Sequence, residues 1–438
     1  MFKINSKTYF LRHDNEIRRF INQNSKWIHI INKENDFKKF SGLQDNIFEI
    51  DVKEDTFNQL ENIRESKYDL IVVTDVFEVT ENIFKFLNTL NSMLNNNGKL
   101  IINSINPKWN FLLSIFEFLK LKKNSKLRSY IHHKKINSIA ESSGFELSRS
   151  YTRQIFPFKF LGIGNFVNSF LEAILFKFRL GINNYLLFRK KEKIFKLETK
   201  TIIVPAKNEE KNLAPLISRI PEFESDYEIV IICAKSKDKT LEEAYRIQRE
   251  NKELDILVFE QKSKGKGPGV LEAINLSKYE LITILDSDIS VDPETLSDFF
   301  KIVESGRADF VNGTRFVYDM EKNAMKKLNH FGNIFFQFVI SLVINIRLTD
   351  SLCGTKVFRR SSIEKLIDWG KKLKIKDPFG DFDFIFSASY SGDKILEYPV
   401  HYKARVYGNT QISRFSDGVK LLFYFINSYF IFNISKND

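Results

Sequence analysis

The sequence predicts an α/β protein in which each of two units forms a doubly wound sheet with helices packed on it. Two observations carry this prediction. Short runs rich in β-branched residues alternate with longer helical patterns, and several of the runs end in polar loops. With 438 residues, 43% of them hydrophobic, the chain has room for two or three domains with full cores. We place the division at residue 195.

The first unit, residues 1–195, contains a series of predicted strands with helices between several of them. One helix is predicted at 81–94. The strands are predicted at 27–31, 46–52, 69–73, 99–102, 145–151 and 185–188. This alternation is typical of an α/β sheet.

The second unit, residues 196–438, repeats the order strand, polar loop and helix. Its first predicted strand, 201–204, is followed by Pro205, which cannot donate to a sheet ladder, so we expect the strand to stop there. Strands at 228–232 and 254–259 also run into charged loops. The repeat predicts a parallel sheet, and open sheets of this kind bind ligands beyond the carboxyl ends of their strands.

The apolar run 282–285 ends in two carboxylates one residue apart, Asp286 and Asp288. Strand side chains alternate between faces, so both carboxylates can point at one ligand only where the strand has ended. Such a pair is typical of a site for Mg²⁺ or Mn²⁺, whose shell is completed by water and diphosphate oxygens. A D-x-D sequence after a strand is also a common turn or helix cap, and the residues alone leave that alternative open.

The charge of the chain favours a membrane surface over nucleic acid as a partner. The formal net charge is +12, and the basic excess is dispersed without a nucleic-acid-binding motif. The two cysteines, Cys233 and Cys353, form neither a disulfide framework nor a metal spacing, which favours a reducing compartment. The first residues lack the apolar segment of a signal peptide. We therefore expect a cytoplasmic protein, peripheral on the inner face of the cytoplasmic membrane.

Apolar segments near 331–346 and 418–434 are predicted to be amphipathic helices, each too short to span a bilayer. A third segment, 156–188, interleaves Phe and Leu with Lys and Arg. Such helices can lie in the membrane interface or pack into the protein core, and both alternatives stay open. In the first segment, polar residues recur every four positions and trace one stripe of a helix: Asn333, Gln337, Ser341 and Asn345.

Ordered blocks of the second unit resemble the family 2 glycosyltransferases, most of all the dolichyl- and polyprenyl-phosphate sugar synthases. The resemblance implies a Rossmann-like GT-A fold, a UDP- or GDP-sugar donor, a metal ion and inversion at the anomeric carbon. It implies a polyprenyl phosphate or a cell-envelope glycan as acceptor. The blocks are Val204 to Glu210, Lys264 to Gly267, Asp286 to Asp288, Asn312 to Arg315, Asp350 to Arg359 and Pro399 to Thr410.

The resemblance also implies which residues hold the donor. Those expected around the nucleotide are Pro205, Ala206, Asn208, Glu209, Asp238, Lys264, Lys266 and Asp286. Cys233 and Ala234 depart from the family, because two aspartates that help hold the nucleoside usually stand there. The sequence therefore leaves open which nucleobase the sugar donor carries. Lys264 and Lys266 stand among glycines, which let backbone N–H groups approach a phosphate, although a flexible basic loop is the alternative.

Three cations are expected at the donor and acceptor phosphates: Arg315, Lys356 and Arg405. Lys356 replaces the usual arginine, so the bidentate guanidinium that would contact a phosphate is replaced by an ammonium group, which acts as a point charge. The catalytic candidates are Asp288, Arg405 and Asp383. Asp383 would take the proton of a sugar hydroxyl, whereas a phosphate acceptor is already ionised and needs no strong base. Capping of the helix that follows is the alternative role for Asp383.

The first unit resembles the middle of class I S-adenosylmethionine methyltransferases at 68–79 and 94–102. The whole chain resembles bacterial fusions of such a domain with a family 2 glycosyltransferase. After the first strand, however, Asn32 to Asp36 replace the glycine-rich turn that lets the backbone approach the cofactor. We expect a degenerate methyltransferase-like scaffold.

An active, metal-dependent glycosyltransferase is the favoured function. One alternative is a glycosyltransferase-like scaffold or binding protein, because Cys233, Ala234 and Lys356 depart from the family pattern. The other is an S-adenosylmethionine-dependent methyltransferase, which the missing glycines disfavour.

Overall fold

The computed structural model divides the chain into two compact units. The first unit comprises Met1–Lys191 with Phe432–Asp438, and the second comprises Glu192–Ile431. The structure describes residues 6–21, 25–33, 43, 46–51, 56–77, 80, 82–118, 131–155, 167–168, 171–172, 175, 178–191, 196–318, 327–373, 377, 380–405, 407 and 414–433. Much of the predicted amphipathic segment at 156–188, the end of the Asn32 to Asp36 segment and the end of the last family block lie outside these residues.

The first unit is a six-stranded sheet with helices on both faces. The strands lie in the order β2-β1-β3-β4-β6-β5; the first four are parallel, and β6 is antiparallel to both of its neighbours. The helices are α1 Ser6–Arg18, α2 Thr56–Arg64, α3 Ile83–Met93, α4 Asn110–Phe118 and α5 His133–Ser142. The strands are β1 Trp27–Asn32, β2 Ile47–Ile50, β3 Tyr68–Thr74, β4 Leu94–Ile105, β5 Phe145–Arg153 and β6 Asn183–Lys190.

Strand β3 shows why this sheet is covered on both sides. Leu70 and Val72 pack in one core with α1, while Ile71 and Val73 pack in the opposite core with α3. A strand with both faces buried reads as a continuous apolar run, as Leu70 to Val73 does. Each predicted strand of this unit is present, with ends that differ from the prediction by at most about five residues at β4 and less elsewhere.

The second unit is a seven-stranded sheet between layers of helices. Its strands are β7 Lys200–Ala206, β8 Tyr227–Cys233, β9 Ile256–Glu260, β10 Leu281–Ile284, β11 Phe310–Thr314, β12 Lys356–Arg359 and β13 Ile395–Pro399. Its helices are α6 Glu210–Ile217, α7 Thr240–Glu250, α8 Lys266–Leu276, α9 Leu296–Glu304, α10 Lys327–Ile344, α11 Ser362–Lys372, α12 Asp381–Tyr390 and α13 Arg414–Asn433. The largest core lies on the face covered by α6, α7 and α9.

This sheet is mixed, which corrects the prediction of a parallel sheet. The order is β13-β11-β12-β10-β7-β8-β9, and β12 is antiparallel to both β10 and β11. The pattern of apolar residues indicates which residues are buried, but it does not indicate the direction of a strand. The four residues of β12 therefore could not show that this strand is antiparallel. Since β12 starts where its neighbours end, it brings Lys356 to the carboxyl edge of the parallel strands.

Strand β7 does not stop at Pro205, as the sequence predicted, but continues to Ala206. In β7, the carbonyl of Ile203 accepts from Leu285 N–H. The backbone N–H and C=O groups of the odd-numbered residues of β7 therefore face β10. Pairing with β10 ends at Ile203, whereas pairing with β8 continues to Ala206. The missing N–H of Pro205 therefore faces a side where the ladder has already ended.

Helices α10 and α13 correspond to the two amphipathic segments predicted in this unit. Helix α10 ends at Ile344, however, so Asn345 of the predicted polar stripe lies outside the helix, at φ 57°. On α13, the side chains of Leu421, Tyr424 and Phe425 are buried. Phe336 of α10 packs against Phe425 with ring centroids 5.4 Å apart.

Among the described helices, none has both the length and the apolar character needed to cross a bilayer.

Candidate active site

Asp286 and Asp288 follow β10 directly, at the carboxyl edge of the second sheet. Ser290 donates from its backbone N–H (3.0 Å) and its hydroxyl (2.6 Å) to Asp288 Oδ1. Between Asp288 and Ser290, Ile289 has φ 55°, which is rare for a β-branched residue. Strain of this kind persists where the surroundings impose it and often marks a functional site.

Asp286 lies between a lysine and a glycine. Its Oδ1 is 2.7 Å from Lys266 Nζ. A Cβ on Gly354 would come within 1.8 Å of Asp286 Oδ2, so only glycine leaves room for this carboxylate. Burial alone would raise the pKa of Asp286, but the charges of Lys266, Lys356 and Arg405 outweigh it and lower the pKa. The carboxylate is therefore ionised at neutral pH.

The charges continue from Asp286 into what we call the lysine–aspartate cluster, formed by Asp286, Lys266, Asp381 and Lys356. Lys266 Nζ is 3.4 Å from both carboxylate oxygens of Asp381. Lys356 Nζ is 3.2 Å from Asp381 Oδ1 and also donates to the carbonyl of Cys353. Burial would lower the pKa of Lys266, but Asp286 and Asp381 raise it. Two cations are thus fixed at one edge of the sheet.

The N-termini of α8 and α12 meet beside this cluster. Gly267 and Gly380 are in backbone contact, since a Cβ on Gly380 would lie 2.3 Å from the Cα of Gly267. Gly380 also has φ 80°, which favours glycine. Helix N-termini present unpaired N–H groups and a partial positive charge, so two of them together favour an anion.

Arg405 closes the other side of the site. Its Nη2 lies 2.6 Å from Asp288 Oδ2, and its Nη1 lies 3.7 Å from Glu209 Oε1. The segment carrying Arg405 is held to the loop after β10, because Lys403 N–H donates to the Ser290 carbonyl (2.9 Å). Burial raises the pKa of Glu209 to about 7, against the lowering effects of a hydrogen bond from Asn212 and the charge of Arg405.

The loops after β7 and β8, predicted to hold the nucleotide, are joined by hydrogen bonds. Asn208, at φ 57°, donates from its N–H to Ser236 Oγ (3.0 Å) and accepts from Lys237 N–H (2.7 Å). The carbonyl of Pro205 accepts from Ser287 Oγ (2.9 Å), and that of Ala206 from Ala234 N–H (2.9 Å). These bonds hold the nucleotide-side loops against the loop that carries Asp286 and Asp288.

Asp238 caps the starts of two helices. It accepts from Thr240 N–H (3.2 Å) at the start of α7 and from Glu210 N–H (3.3 Å) at the start of α6. Its observed contacts are therefore those of a cap, and its role at the donor stays a prediction.

Three other predicted residues are placed outside the lysine–aspartate cluster. Arg315 is buried in a bidentate pair with Asp350, at 2.6 and 2.8 Å. Asp383 Oδ1 accepts from Tyr424 OH (2.6 Å) and Trp369 Nε1 (3.3 Å). Lys264 is exposed on the loop before α8. The phosphate-binding and base roles given to these residues stay predictions.

Asp381 is a site residue that the sequence analysis did not select, because it chose Asp383 from the same acidic cluster. It precedes Asp383 by two positions and begins α12, but only the fold brings it to Lys266 and Lys356. The available signal was its place directly after Gly380, since a helix start at the carboxyl edge faces the ligand side of the sheet.

Sequence comparison finds proteins that are similar to part of this chain. Residues 201–367 match the model of Glycosyl transferase family 2. A low-salt glycan biosynthesis hexosyltransferase of Haloferax volcanii is 26% identical over 224 residues, covering 50% of this chain and 51% of that protein. A dolichyl-phosphate hexose transferase of the same organism is 23% identical over 220 residues, covering 50% of this chain and 89% of that protein.

Among solved structures, glucosyl-3-phosphoglycerate synthase from Mycobacterium tuberculosis, in complex with Mn²⁺, UDP-glucose and phosphoglyceric acid, matches with a TM-score of 0.41. The identity is 13%, and the match covers 53% of this chain and 80% of that chain. The chain therefore contains, within its second unit, a match to the family 2 glycosyltransferase model. It spans about half the length of the first of these sequence relatives.

Proposed function

We propose that the second unit transfers a hexose from a UDP- or GDP-sugar to a polyprenyl phosphate, with inversion at the anomeric carbon. The observation that carries this proposal is the convergence of Lys266, Lys356 and Arg405 on the carboxylates at this edge of the sheet, beside two helix N-termini. An edge so rich in fixed cations and N–H donors suits a substrate and a product that both carry phosphates.

The donor diphosphate would lie over the lysine–aspartate cluster. Lys266 is held by Asp286 and Asp381, and Arg405 is held by Asp288. A diphosphate offers the same cations further anionic acceptor oxygens, so Lys266 and Arg405 can turn toward it without loss of a partner. Lys264 would lie at the outer side of the diphosphate. The nucleoside would contact residues of the adjacent loops: Pro205, Ala206, Asn208, Glu209 and Asp238.

A divalent cation fits the donor set of this edge. Within the described part of the chain, no group of three or more His, Cys, Asp or Glu side chains is placed to hold a metal. Two carboxylates, Asp286 and Asp288, are what Mg²⁺ or Mn²⁺ takes from a protein when substrate phosphates supply further oxygens. When bound, the ion would stabilise the negative charge that develops on the leaving nucleotide.

The acceptor reaction needs little proton transfer. An oxygen of the acceptor phosphate forms the new bond to the anomeric carbon while the bond to the nucleoside diphosphate breaks on the opposite face. A phosphomonoester is largely dianionic at neutral pH, so no base has to remove a proton. This agrees with the placement of Asp383, whose carboxylate is engaged by Tyr424 and Trp369.

Two named relatives support the acceptor class. One is the dolichyl-phosphate hexose transferase of Haloferax volcanii described above. Another is a dolichol-phosphate mannosyltransferase of Pyrococcus furiosus, 28% identical over 119 residues and covering 33% of that protein. Arg405 and Lys356 are the cations proposed to meet the acceptor phosphate. Arg315 is proposed to act indirectly, by holding Asp350 and the segment that leads to β12.

The proposed location is the inner face of the cytoplasmic membrane. On α13, a stripe of apolar side chains faces solvent although the opposite side of the helix is buried. The stripe consists of Val419, Leu422, Phe423, Ile426 and Phe430. A helix of this kind can lie in the interface beside a lipid-linked acceptor.

For the first unit we propose a degenerate methyltransferase-like scaffold. Four parallel strands in the order β2-β1-β3-β4 support the likeness. The space below α1 is filled by a buried cluster in which Thr74 Oγ1 lies 3.0 Å from His13 Nε2 and 2.9 Å from His29 Nε2. His13 Nδ1 also contacts Tyr185 OH. These buried contacts between side chains support a scaffold role for the unit.

Radiolabelled sugar transfer tests the proposed reaction. Label from a UDP- or GDP-sugar should enter the organic phase only when polyprenyl phosphate and Mg²⁺ or Mn²⁺ are present. Asp288→Asn should lower kcat by roughly 10²–10³, the usual cost of losing one fixed group that stabilises transition-state charge. Asp368→Asn, at an exposed pair with Lys371, is the matched control and should leave kcat unchanged.

Two outcomes would contradict the proposal. Label on a water-soluble glycan, lost in Asp383→Ala, would establish a hydroxyl acceptor with a carboxylate base. Absence of transfer and of hydrolysis with every UDP- and GDP-sugar would favour a scaffold.

A further inference from the structure

An apolar helix leaves the carboxyl edge of the first sheet and exposes its aromatic side chains. Helix α4 follows β4 after a short 3₁₀ turn, Pro107–Trp109. Phe111 is 76% exposed, Leu112 43% and Phe118 87%, whereas Leu113 is buried. Large apolar side chains at such exposure cost free energy in water unless another surface covers them.

The base of this helix is fixed to a second segment, residues 178–181. Asn106 Nδ2 donates to the carbonyls of Arg179 (2.9 Å) and Gly181 (2.8 Å). Trp109 Nε1 donates to the carbonyl of Leu180 (2.7 Å). The start of α4 and this second segment therefore form one hydrogen-bonded base.

The second segment exposes a further aromatic ring at the same base. Lys108 Nζ donates to the Phe178 carbonyl (2.6 Å), and the Phe178 ring is 62% exposed. The exposed rings of α4 and the exposed ring of Phe178 are thus attached to one hydrogen-bonded base.

Basic groups surround this base. Burial and the charges of neighbouring residues lower the pKa of His133 to about 4. Each of those charged neighbours is basic: Arg179, His132, Lys134 and Lys108. The Arg179 guanidinium donates to the carbonyl and hydroxyl of Ser150, which are neutral. Lys108 and Lys134 are exposed, so their charges are open to an anionic partner.

We propose that the first unit docks on an anionic lipid surface through this aromatic–basic platform, formed by Lys108, Phe111, Phe118, Lys134 and Phe178. Exposed Phe and Leu beside Lys and Arg is the pattern of an interfacial membrane contact, in which rings enter the headgroup boundary and cations meet anionic headgroups. The contact is separate from the one proposed for α13 and does not depend on glycosyl transfer.

The sequence after α4 agrees with an anionic partner. Between residues 119 and 130 the charged residues are all basic: Lys120, Lys122, Lys123, Lys126 and Arg128. A basic run of this size that follows apolar anchors in the sequence adds electrostatic attraction to a surface that carries anionic lipid.

A fluorescent probe at the platform tests the proposal directly. Both native cysteines, Cys233 and Cys353, are buried, so Phe118→Cys can be labelled selectively with an environment-sensitive dye in the full chain. Vesicles of phosphatidylserine and phosphatidylcholine should shift the emission to the blue, and phosphatidylcholine alone should shift it less. Phe84→Cys is the matched control, because Phe84 is 49% exposed on α3 of the same unit. It should show no shift.

Vesicle flotation gives the second measurement. Phe111→Ser combined with Lys134→Glu should weaken binding to the anionic vesicles about tenfold, since one apolar anchor and one cation are lost. Phe84→Ser combined with Lys85→Glu should bind as the unaltered protein does. Equal shifts at positions 118 and 84, or equal binding by the two double variants, would overturn the proposal. A shift at position 118 that follows protein concentration without vesicles would also overturn it, because a second copy would then cover the platform.

Discussion

Gly354 is the residue at which the backbone comes closest to the site carboxylates. Its substitution by Ala would place a Cβ 1.8 Å from Asp286 Oδ2 and force the carboxylate out of its contact with Lys266. We expect Gly354→Ala to lower kcat at least about a hundredfold, because a fixed charge of the site is misplaced. Steady-state kinetics with the sugar donor would measure this.

Gly370→Ala is the control for that substitution. Gly370 lies within α11, and an added Cβ there would meet nothing within 4 Å. Alanine should therefore leave kcat unchanged and raise the free energy of unfolding by about 0.5–1 kcal/mol. Equal kinetics of the two variants would show that Asp286 has no role in turnover.

Glu209 predicts a dependence of stability on pH. Its pKa is raised from 4.5 to about 7 in the folded protein, chiefly by burial. Between these values the folded state holds a proton that the unfolded chain has released, so stability falls as pH rises through this window. Glu209→Gln removes that fall. Relative to the unaltered protein, its free energy of unfolding should rise by on the order of 3 kcal/mol as the pH is raised across this window.

Urea unfolding at a series of pH values, with a chelator present, would measure the effect. A constant difference between Glu209→Gln and the unaltered protein across the series would contradict it. The exposed substitution Glu253→Gln is the matched control.

Sequence reasoning located single residues well where local order fixed them. Asp286 and Asp288 follow an apolar strand, so their position at the carboxyl edge was predictable from the run alone. The residues that contact these two carboxylates or lie beside them were not predictable in this way. Asp381 meets Lys266 across 115 positions, and no local pattern encodes such a pair.

At the scale of elements, strand existence was predicted better than strand direction. The strands of the first unit follow their apolar runs, because burial on both faces leaves a clear pattern. The antiparallel direction of β12 depends on the path of the chain between β11 and β12, which no pattern within β12 reports. Helix α8 begins at Lys266, and the Gly-Pro-Gly run is accommodated in its first turn.

Helix α13 predicts a membrane contact that survives high salt. Phe423 and Phe430 are about half exposed on its outer stripe, and burial of such rings in lipid is not screened by ions. We expect Phe423→Ser combined with Phe430→Ser to reduce the vesicle binding that remains at about 1 M salt roughly tenfold. Co-sedimentation with anionic vesicles would measure it.

Tyr245→Ser is the matched control, because Tyr245 is 40% exposed on α7 of the same unit. If the α13 variant binds at high salt as Tyr245→Ser does, the outer stripe of α13 has no part in docking.

At the scale of the whole molecule, the two units differ in what their sheet edges offer a ligand. The second edge presents carboxylates, lysines and two helix N-termini around Asp286. In the first unit, the residue that follows β1 already has a backbone partner, because Lys33 N–H donates to the Ile50 carbonyl (2.9 Å). This N–H is therefore not available to a cofactor.

We therefore expect the full chain not to bind S-adenosylmethionine. A ligand stabilises a protein by RT ln(1 + [L]/Kd), so about 1 mM S-adenosylmethionine with a Kd above about 1 mM would add less than about 0.4 kcal/mol to the free energy of unfolding. A Kd of about 10 μM would instead add about 2.7 kcal/mol. Urea unfolding with and without the ligand separates the two cases, and a UDP- or GDP-sugar with Mn²⁺ serves as the positive control on the same chain. Stabilisation by S-adenosylmethionine of the larger size would mean that the first unit keeps a working cofactor site and is more than a scaffold.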